Sequence, residues 1–226
     1  MALSVSPEKL LTSLLALALL SGCDVATDVA RPGSRYSEAA FDRWLAEDAG
    51  RRKSFGRFEA FLAEQGVADV VPAWQLLRTD ANYAAACGFG AFELPDEEKW
   101  PAIVPTLRLV RQEVLPVVGR VEVFSSDRSD ALNRCIKGAS QSRHRAFAAV
   151  DLVAAEPSDR EGLFAELCAM HRRVGARTGM GLGAYLDPAR PWLNRNGRFH
   201  IDQSGFRTWG FDYHRASSYC VTTQSA

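Results

Sequence analysis

Apolar residues recur at intervals of three and four positions in two neighbouring segments, residues 36–50 and 51–66. The positions are Phe41, Trp44 and Leu45 in the first segment, and Phe55, Phe58, Phe61 and Leu62 in the second. Because this spacing places side chains on one face of a helix, it predicts two amphipathic helices. Aromatic stripes of this kind belong to a protein core far more often than to a ligand site, so we expect these rings to be buried.

Further along the chain, helical and strand-like patterns alternate. Residues 105–119 predict a helix that ends at Pro116 or Gly119, and a polar N-cap precedes the apolar stripe of residues 158–175. The strand candidates are residues 121–126, 147–154 and 198–202. This order of elements predicts an α+β domain, in which a small sheet is flanked by helices and preceded by a helical N-terminal region.

The first 23 residues have a different character from the rest. Lys9 precedes an apolar run over residues 10–20, which has the length of a signal-peptide core and is too short to span a membrane. The run closes on Leu-Ser-Gly-Cys, which resembles a bacterial lipobox with Cys23 as the lipidated residue. That resemblance implies a lipoprotein anchored to the membrane on the periplasmic side of the bacterial cell envelope; ordinary secretion is the alternative. Residues 24–35 then predict a short polar tether.

Length and charge limit the remaining possibilities. Lys plus Arg and Asp plus Glu are equal at 27 each, so no net field favours nucleic acid as a partner. A chain of 226 residues suits a monomer with one main domain, which we place at residues 96–226, with the helical region of residues 36–95 packed on it. In an oxidising compartment, the cysteines after Cys23 allow two disulfides in three alternative pairings, and a free buried thiol at Cys168 is a further possibility.

Two histidines and an aspartate form the strongest candidate for chemistry. His144 and Asp151 are seven residues apart at the start of one predicted strand, and His200 lies in another. Seven extended residues span about 23 Å, so both groups bind one ion only if the chain turns back after His144. Two imidazoles, one carboxylate and an open fourth position are typical of a catalytic zinc site.

These residues resemble the zinc D-alanyl-D-alanine carboxypeptidases and murein endopeptidases, which share their fold with the hedgehog signalling domain. The resemblance rests on Ser-x-His at residues 142–144, a carboxylate seven residues later, and two further blocks in the right order. Matches in those blocks are Ser125, Arg128, Asn133, His200, Asp202, Gly205, Arg207 and Trp209. The similarity covers about residues 100–210 and excludes the helical region at residues 36–80.

The resemblance implies a fold, a cofactor and a substrate class. It implies a mostly antiparallel sheet of the hedgehog and D-Ala-D-Ala peptidase type, with one Zn²⁺ held by His144, Asp151 and His200. Arg128 and Ser142 would lie beside the substrate, and a planar guanidinium is suited to a peptide carboxylate. The implied activity is zinc-dependent hydrolysis of amide bonds to D-amino acids in peptidoglycan stem peptides or cross-links.

Two departures from the family pattern concern catalysis. Relatives place a Glu three residues before the last zinc ligand, or a His two residues before it. This chain has Gly197 and Arg198 at those positions. Asp202 is our candidate for the missing base; alternatively it orients an imidazole, or it is the third ligand with His200 as the base. Phe147 replaces a family glycine and is expected to help wall the pocket. These departures support a second hypothesis, a peptidoglycan-binding module with weak or no catalysis.

Overall fold

The computed structural model describes residues 34–156, 159–187 and 189–223. The predicted signal peptide, the lipobox residue Cys23 and most of the predicted tether lie outside these ranges. Within the described ranges, no helix combines the length and apolar character needed to cross a bilayer. The described residues form helices packed around one five-stranded sheet, so the predicted α+β class is confirmed.

Capping side chains explain where the principal helices begin. Ser37 and Asp48 each accept a hydrogen bond from a main-chain N–H in the first turn that follows, and Asp159 accepts two at the longest helix. The helices are α1 (Glu38–Ala46), α2 (Ala49–Glu64), α3 (Ile103–Leu109), α4 (Leu115–Val118), α5 (Asp130–Cys135), α6 (Arg160–Thr178) and α7 (Tyr219–Thr222). The two predicted N-terminal helices and the helix predicted over residues 158–175 are therefore confirmed.

The helix predicted over residues 105–119 is present but irregular. A π-helical turn over Val110–Val114 joins α3 to α4, and the helix ends at Gly119, whose φ of 76° is left-handed. Pro116 has no N–H to donate and its ring crowds the preceding turn, which agrees with a widened turn immediately before it. Glycine at the end supplies the left-handed conformation at little steric cost.

The sheet has the order β1-β2-β4-β3-β5. Its strands are β1 (Val121–Ser125), β2 (Ala149–Ala154), β3 (Gly181–Ala184), β4 (Phe199–Asp202) and β5 (Arg207–Trp209). The first three neighbouring pairs are antiparallel and only β3 and β5 run parallel, so the sheet is mixed and mostly antiparallel. β1, β2 and β4 match the predicted strands, whereas β5 was not predicted.

The N-terminal helices share one hydrophobic core with the sheet. The ring of Phe58 on α2 lies 6.0 Å from that of Phe147, two residues before β2. Arg78 is completely buried, and its guanidinium donates to the main-chain oxygens of Tyr36 and Val123. Contacts of this kind tie residues 36–95 closely to the rest of the chain.

Two disulfides add covalent links between distant segments. Cys87 pairs with Cys135, and Cys168 pairs with Cys220. The structure thus selects one of the three pairings that the sequence allowed, and Cys168 is not a free thiol. The first disulfide joins the N-terminal region to α5, close to the candidate site.

Candidate metal centre

A single row of residues across the sheet carries two of the three predicted metal ligands. Asp151 on β2 lies directly opposite His200 on β4, and directly opposite residues of antiparallel strands face the same side. Ser125 on β1 pairs with Asp151, and its hydroxyl donates to Asp151 Oδ2 at 3.2 Å. On the other side, Gly183 pairs with His200, and an added Cβ there would lie 2.6 Å from the hydroxyl oxygen of Tyr185 and 2.8 Å from the Cβ of His200. Glycine therefore leaves space for the Tyr185 side chain beside His200.

The third ligand reaches this row from a turn. His144 lies in a short 3₁₀ helix, Arg143–Ala146, and Phe147 follows it in the left-handed conformation with φ 53°. This reversal folds His144 back over β2, as the seven-residue spacing to Asp151 required. Phe147 has a positive φ that glycine adopts at less cost, and its ring is buried in the core and is absent from the pocket lining. The expectation that Phe147 walls the pocket is therefore wrong.

The three ligand atoms form a compact triangle. His144 Nε2 lies 3.0 Å from His200 Nδ1 and 3.4 Å from Asp151 Oδ1, and His200 Nδ1 lies 3.1 Å from the same oxygen. Ligands at zinc–nitrogen distances of 2.0–2.1 Å in a tetrahedron are about 3.3 Å apart. All three residues are buried, and together they form a group that could hold a metal ion.

Hydrogen bonds on the far side of each imidazole fix its orientation. His144 Nδ1 donates to the main-chain oxygen of Ser126 at 2.6 Å, and His200 Nε2 donates to Asp202 Oδ2 at 2.9 Å. Since both acceptors require a proton on the outward nitrogen, the inward nitrogen of a neutral ring presents its lone pair to the centre. Such outer hydrogen bonds are a regular feature of metal-binding histidines.

Asp202 does not lie where a general base would. It is fully buried behind His200, is absent from the pocket lining, and forms hydrogen bonds through both oxygens with the guanidinium of Arg207 at 3.0 and 2.6 Å. This position makes Asp202 a poorer candidate for the catalytic base that we expected from the sequence. It favours the alternative role, a carboxylate that orients the imidazole of His200, and it also separates Asp202 from the ligand triangle.

The electrostatics of the centre suit a cation. Burial alone would raise the pKa of Asp151, but His144, His200 and Arg198 hold it well below its usual range, so the carboxylate stays ionised. Burial lowers the pKa of His144, which keeps that imidazole neutral. Burial also acts to lower the pKa of His200, but Asp151 and Asp202 raise it overall, so a metal ion would compete with a proton there.

The triangle opens into a pocket of about 600 Å³. Arg128 and Ser142, the two predicted substrate-binding residues, both line it. So do Asp80 from the N-terminal region, Tyr185 after β3 and Arg198 just before β4. The lining therefore combines a possible metal centre with guanidinium and hydroxyl donors.

Three of these lining residues had no sequence prediction for the site. Tyr185 belongs to no motif that the sequence analysis recognised. Arg198 was noted only because it occupies a position where relatives have the catalytic base. Asp80 lies in a segment outside the family resemblance, and no motif marks it. The remaining histidines take no part: His171 is buried against Phe206, with its Nε2 donating to the main-chain oxygen of Met180, and His214 is exposed outside the lining.

Comparisons with known proteins do not extend this picture. The chain matches no protein-family model, no curated protein and no solved structure. The donor set and the geometry of its own residues are therefore the basis on which a function is inferred.

Proposed function

We propose that this chain is a zinc-dependent peptidase that hydrolyses amide bonds to D-amino acids in peptidoglycan stem peptides or cross-links. In this proposal it is exported and anchored through Cys23 on the periplasmic side of the bacterial envelope. The observation that carries the proposal is the buried triangle of His144, Asp151 and His200 at the base of an open pocket. The family resemblance of residues 100–210 supplies the substrate class.

The donor set supports zinc among the metals. Two imidazole nitrogens and one carboxylate oxygen, oriented by outer hydrogen bonds, are the ligands of catalytic zinc sites that keep one position open. A bound zinc ion supplies Lewis-acid chemistry, because it polarises a carbonyl and lowers the pKa of a coordinated water to about 7. Calcium and magnesium prefer oxygen ligands, so the two imidazoles make them poorer candidates.

The other lining residues would bind the substrate and stabilise negative charge. Arg128 and Arg198 offer planar sets of donors that suit a carboxylate or a developing oxyanion. Burial raises the pKa of Tyr185 far above its usual range, with the Asp151 charge adding to the effect, so its hydroxyl stays a neutral donor. These groups would hold a peptide with its carbonyl directed toward the ligand triangle.

One feature favours a second candidate function, a peptidoglycan-binding module with weak or no catalysis. Among the described lining residues, Asp80 is the only carboxylate besides Asp151, and its Oδ2 accepts a hydrogen bond from Arg128 at 3.2 Å. A carboxylate free to take a proton from water is therefore absent from this part of the pocket. A positioned general base of this kind typically accelerates hydrolysis by about 10²–10⁴-fold.

The test measures metal content and turnover together. The purified chain is analysed for bound zinc and incubated with isolated muropeptides, alongside His144→Ala, His200→Ala and the control His214→Ala, which changes an exposed histidine outside the lining. We expect one zinc per chain and product from the unaltered protein and the control only. Stoichiometric zinc with no product from any muropeptide would favour the binding module. Failure to bind zinc would refute the metal centre itself.

A further inference from the structure

We infer that Asp80, contributed by the N-terminal region, is a positioning residue of the metal pocket that balances the charge of Arg128 and Arg198 so that Asp151 can serve as a ligand. This inference deepens the proposed function and rests on its metal centre. It gives the segment that follows the N-terminal helices a definite part in the site.

Both arginines are shared between two carboxylates. Arg128 lies 3.2 Å from Asp80 Oδ2 and 4.0 Å from Asp151 Oδ2, measured from its Nη2. Arg198 lies 3.8 and 3.7 Å from the same two oxygens, measured from its Nη1. The two guanidinium groups therefore stand between the ligand carboxylate and Asp80, and the four charges sum to zero.

Burial makes that balance important. Asp80 and Asp151 are only 2% and 3% exposed, and Arg128 is 7% exposed. Charges in such surroundings are weakly screened by water and salt. Without Asp80, two cations would face one carboxylate, which would oppose a divalent ion approaching Asp151. With Asp80 present, the arginines are compensated and the triangle keeps its attraction for a cation.

The local structure fixes Asp80 in place. Its Oδ1 accepts a hydrogen bond from the main-chain N–H of Asn82 at 3.0 Å, and its main-chain oxygen accepts one from the hydroxyl of Tyr36 at 3.5 Å. A few residues later, the disulfide from Cys87 to Cys135 ties this segment to α5. Asp80 is thus held by its own turn and by Tyr36, and a disulfide lies seven residues further along the chain.

The experiment measures zinc affinity by competition with a chromophoric chelator, using the full chain. Asp80 and Asp151 lie within about 7 Å of each other across Arg128, so removing one charge should weaken binding of a divalent ion by about tenfold or more. We therefore expect Asp80→Asn to raise the Kd for zinc by that factor. Asp42→Asn makes the same chemical change at an exposed position of α1 and should leave the Kd unchanged.

A second substitution separates charge balance from a merely structural role. Arg198→Gln removes one of the compensated cations, so by itself it should tighten zinc binding. The double variant Asp80→Asn with Arg198→Gln should recover most of the affinity lost in Asp80→Asn, whereas damage to the fold would not be reversed. Circular dichroism reports whether each variant folds. If Asp80→Asn does not fold, the zinc affinity of Arg198→Gln is the test.

Each outcome has a distinct meaning. An unchanged Kd in folded Asp80→Asn, no recovery in the double variant, or no tightening in Arg198→Gln overturns the role of Asp80 while leaving the metal centre intact. Absence of zinc binding by the unaltered chain overturns the proposed function and this inference together.

Discussion

Replacing Phe147 tests how the turn after His144 is held. The residue is fully buried and has a φ of 53°, a conformation that costs a non-glycine residue about 1–2 kcal/mol. Removing the ring should lower the free energy of unfolding by about 3–5 kcal/mol. Phe147→Ala loses the ring and keeps the backbone strain, whereas Phe147→Gly loses the ring and relieves the strain. We therefore expect Phe147→Gly to be the more stable of the two by about 1 kcal/mol.

Urea unfolding at equilibrium, with the disulfides intact, measures this difference. Phe58 supplies the matched control, because it is equally buried, contacts Phe147, and lies inside α2. There glycine should be less stable than alanine by about 1 kcal/mol, the usual order within a helix. If Phe147→Ala were as stable as Phe147→Gly or more stable, the backbone of this turn would not be strained and the reasoning would fail.

Three further outcomes are expected. Zinc affinity should fall as the pH decreases through the raised pKa of His200, because a proton and the metal ion compete for the same nitrogen; titration calorimetry at several pH values measures this. Asp202→Asn should weaken zinc binding by about 10–100-fold while the fold is retained, as measured by chelator competition and circular dichroism. Replacing Cys168 and Cys220 by alanine, which opens a link between residues 52 positions apart, should lower the free energy of unfolding by about 4 kcal/mol in urea titrations.

Local patterns predicted a large part of the fold. The helices α1, α2 and α6 carry their own apolar periodicity and polar caps, so no distant residue was needed to find them. Strand order and register were not predictable in this way, because they depend on contacts between segments far apart in sequence. β5 has only three residues and pairs with β3 in parallel, so it carried too short a pattern to be recognised.

The candidate site shows the same division. His144, Asp151 and His200 were proposed from residue types, spacing and the family resemblance, and the structure brings them together. Asp202 was correctly expected on the same face of the strand as His200. The alternation of residues along the strand does not tell which of the two side chains meets the pocket. For that reason the sequence could not show that Asp202 lies behind His200. Asp80 could not be predicted, because it lies in no recognised motif and its partner Arg128 is 48 residues away in sequence.

The pairing of Asp151 with His200 has a consequence for how this protein can change over evolutionary time. Their spacing follows from the ladder between β2 and β4, a property of the backbone, so many substitutions elsewhere in the core leave it unaltered. An insertion or deletion within either strand would instead shift the pairing by one residue and set Asp151 opposite Phe199 or Ile201, with one ligand turned to the opposite face. In descendants of this chain that keep the metal centre, the lengths of these two strands should therefore stay fixed, even where residues elsewhere in the core have been replaced.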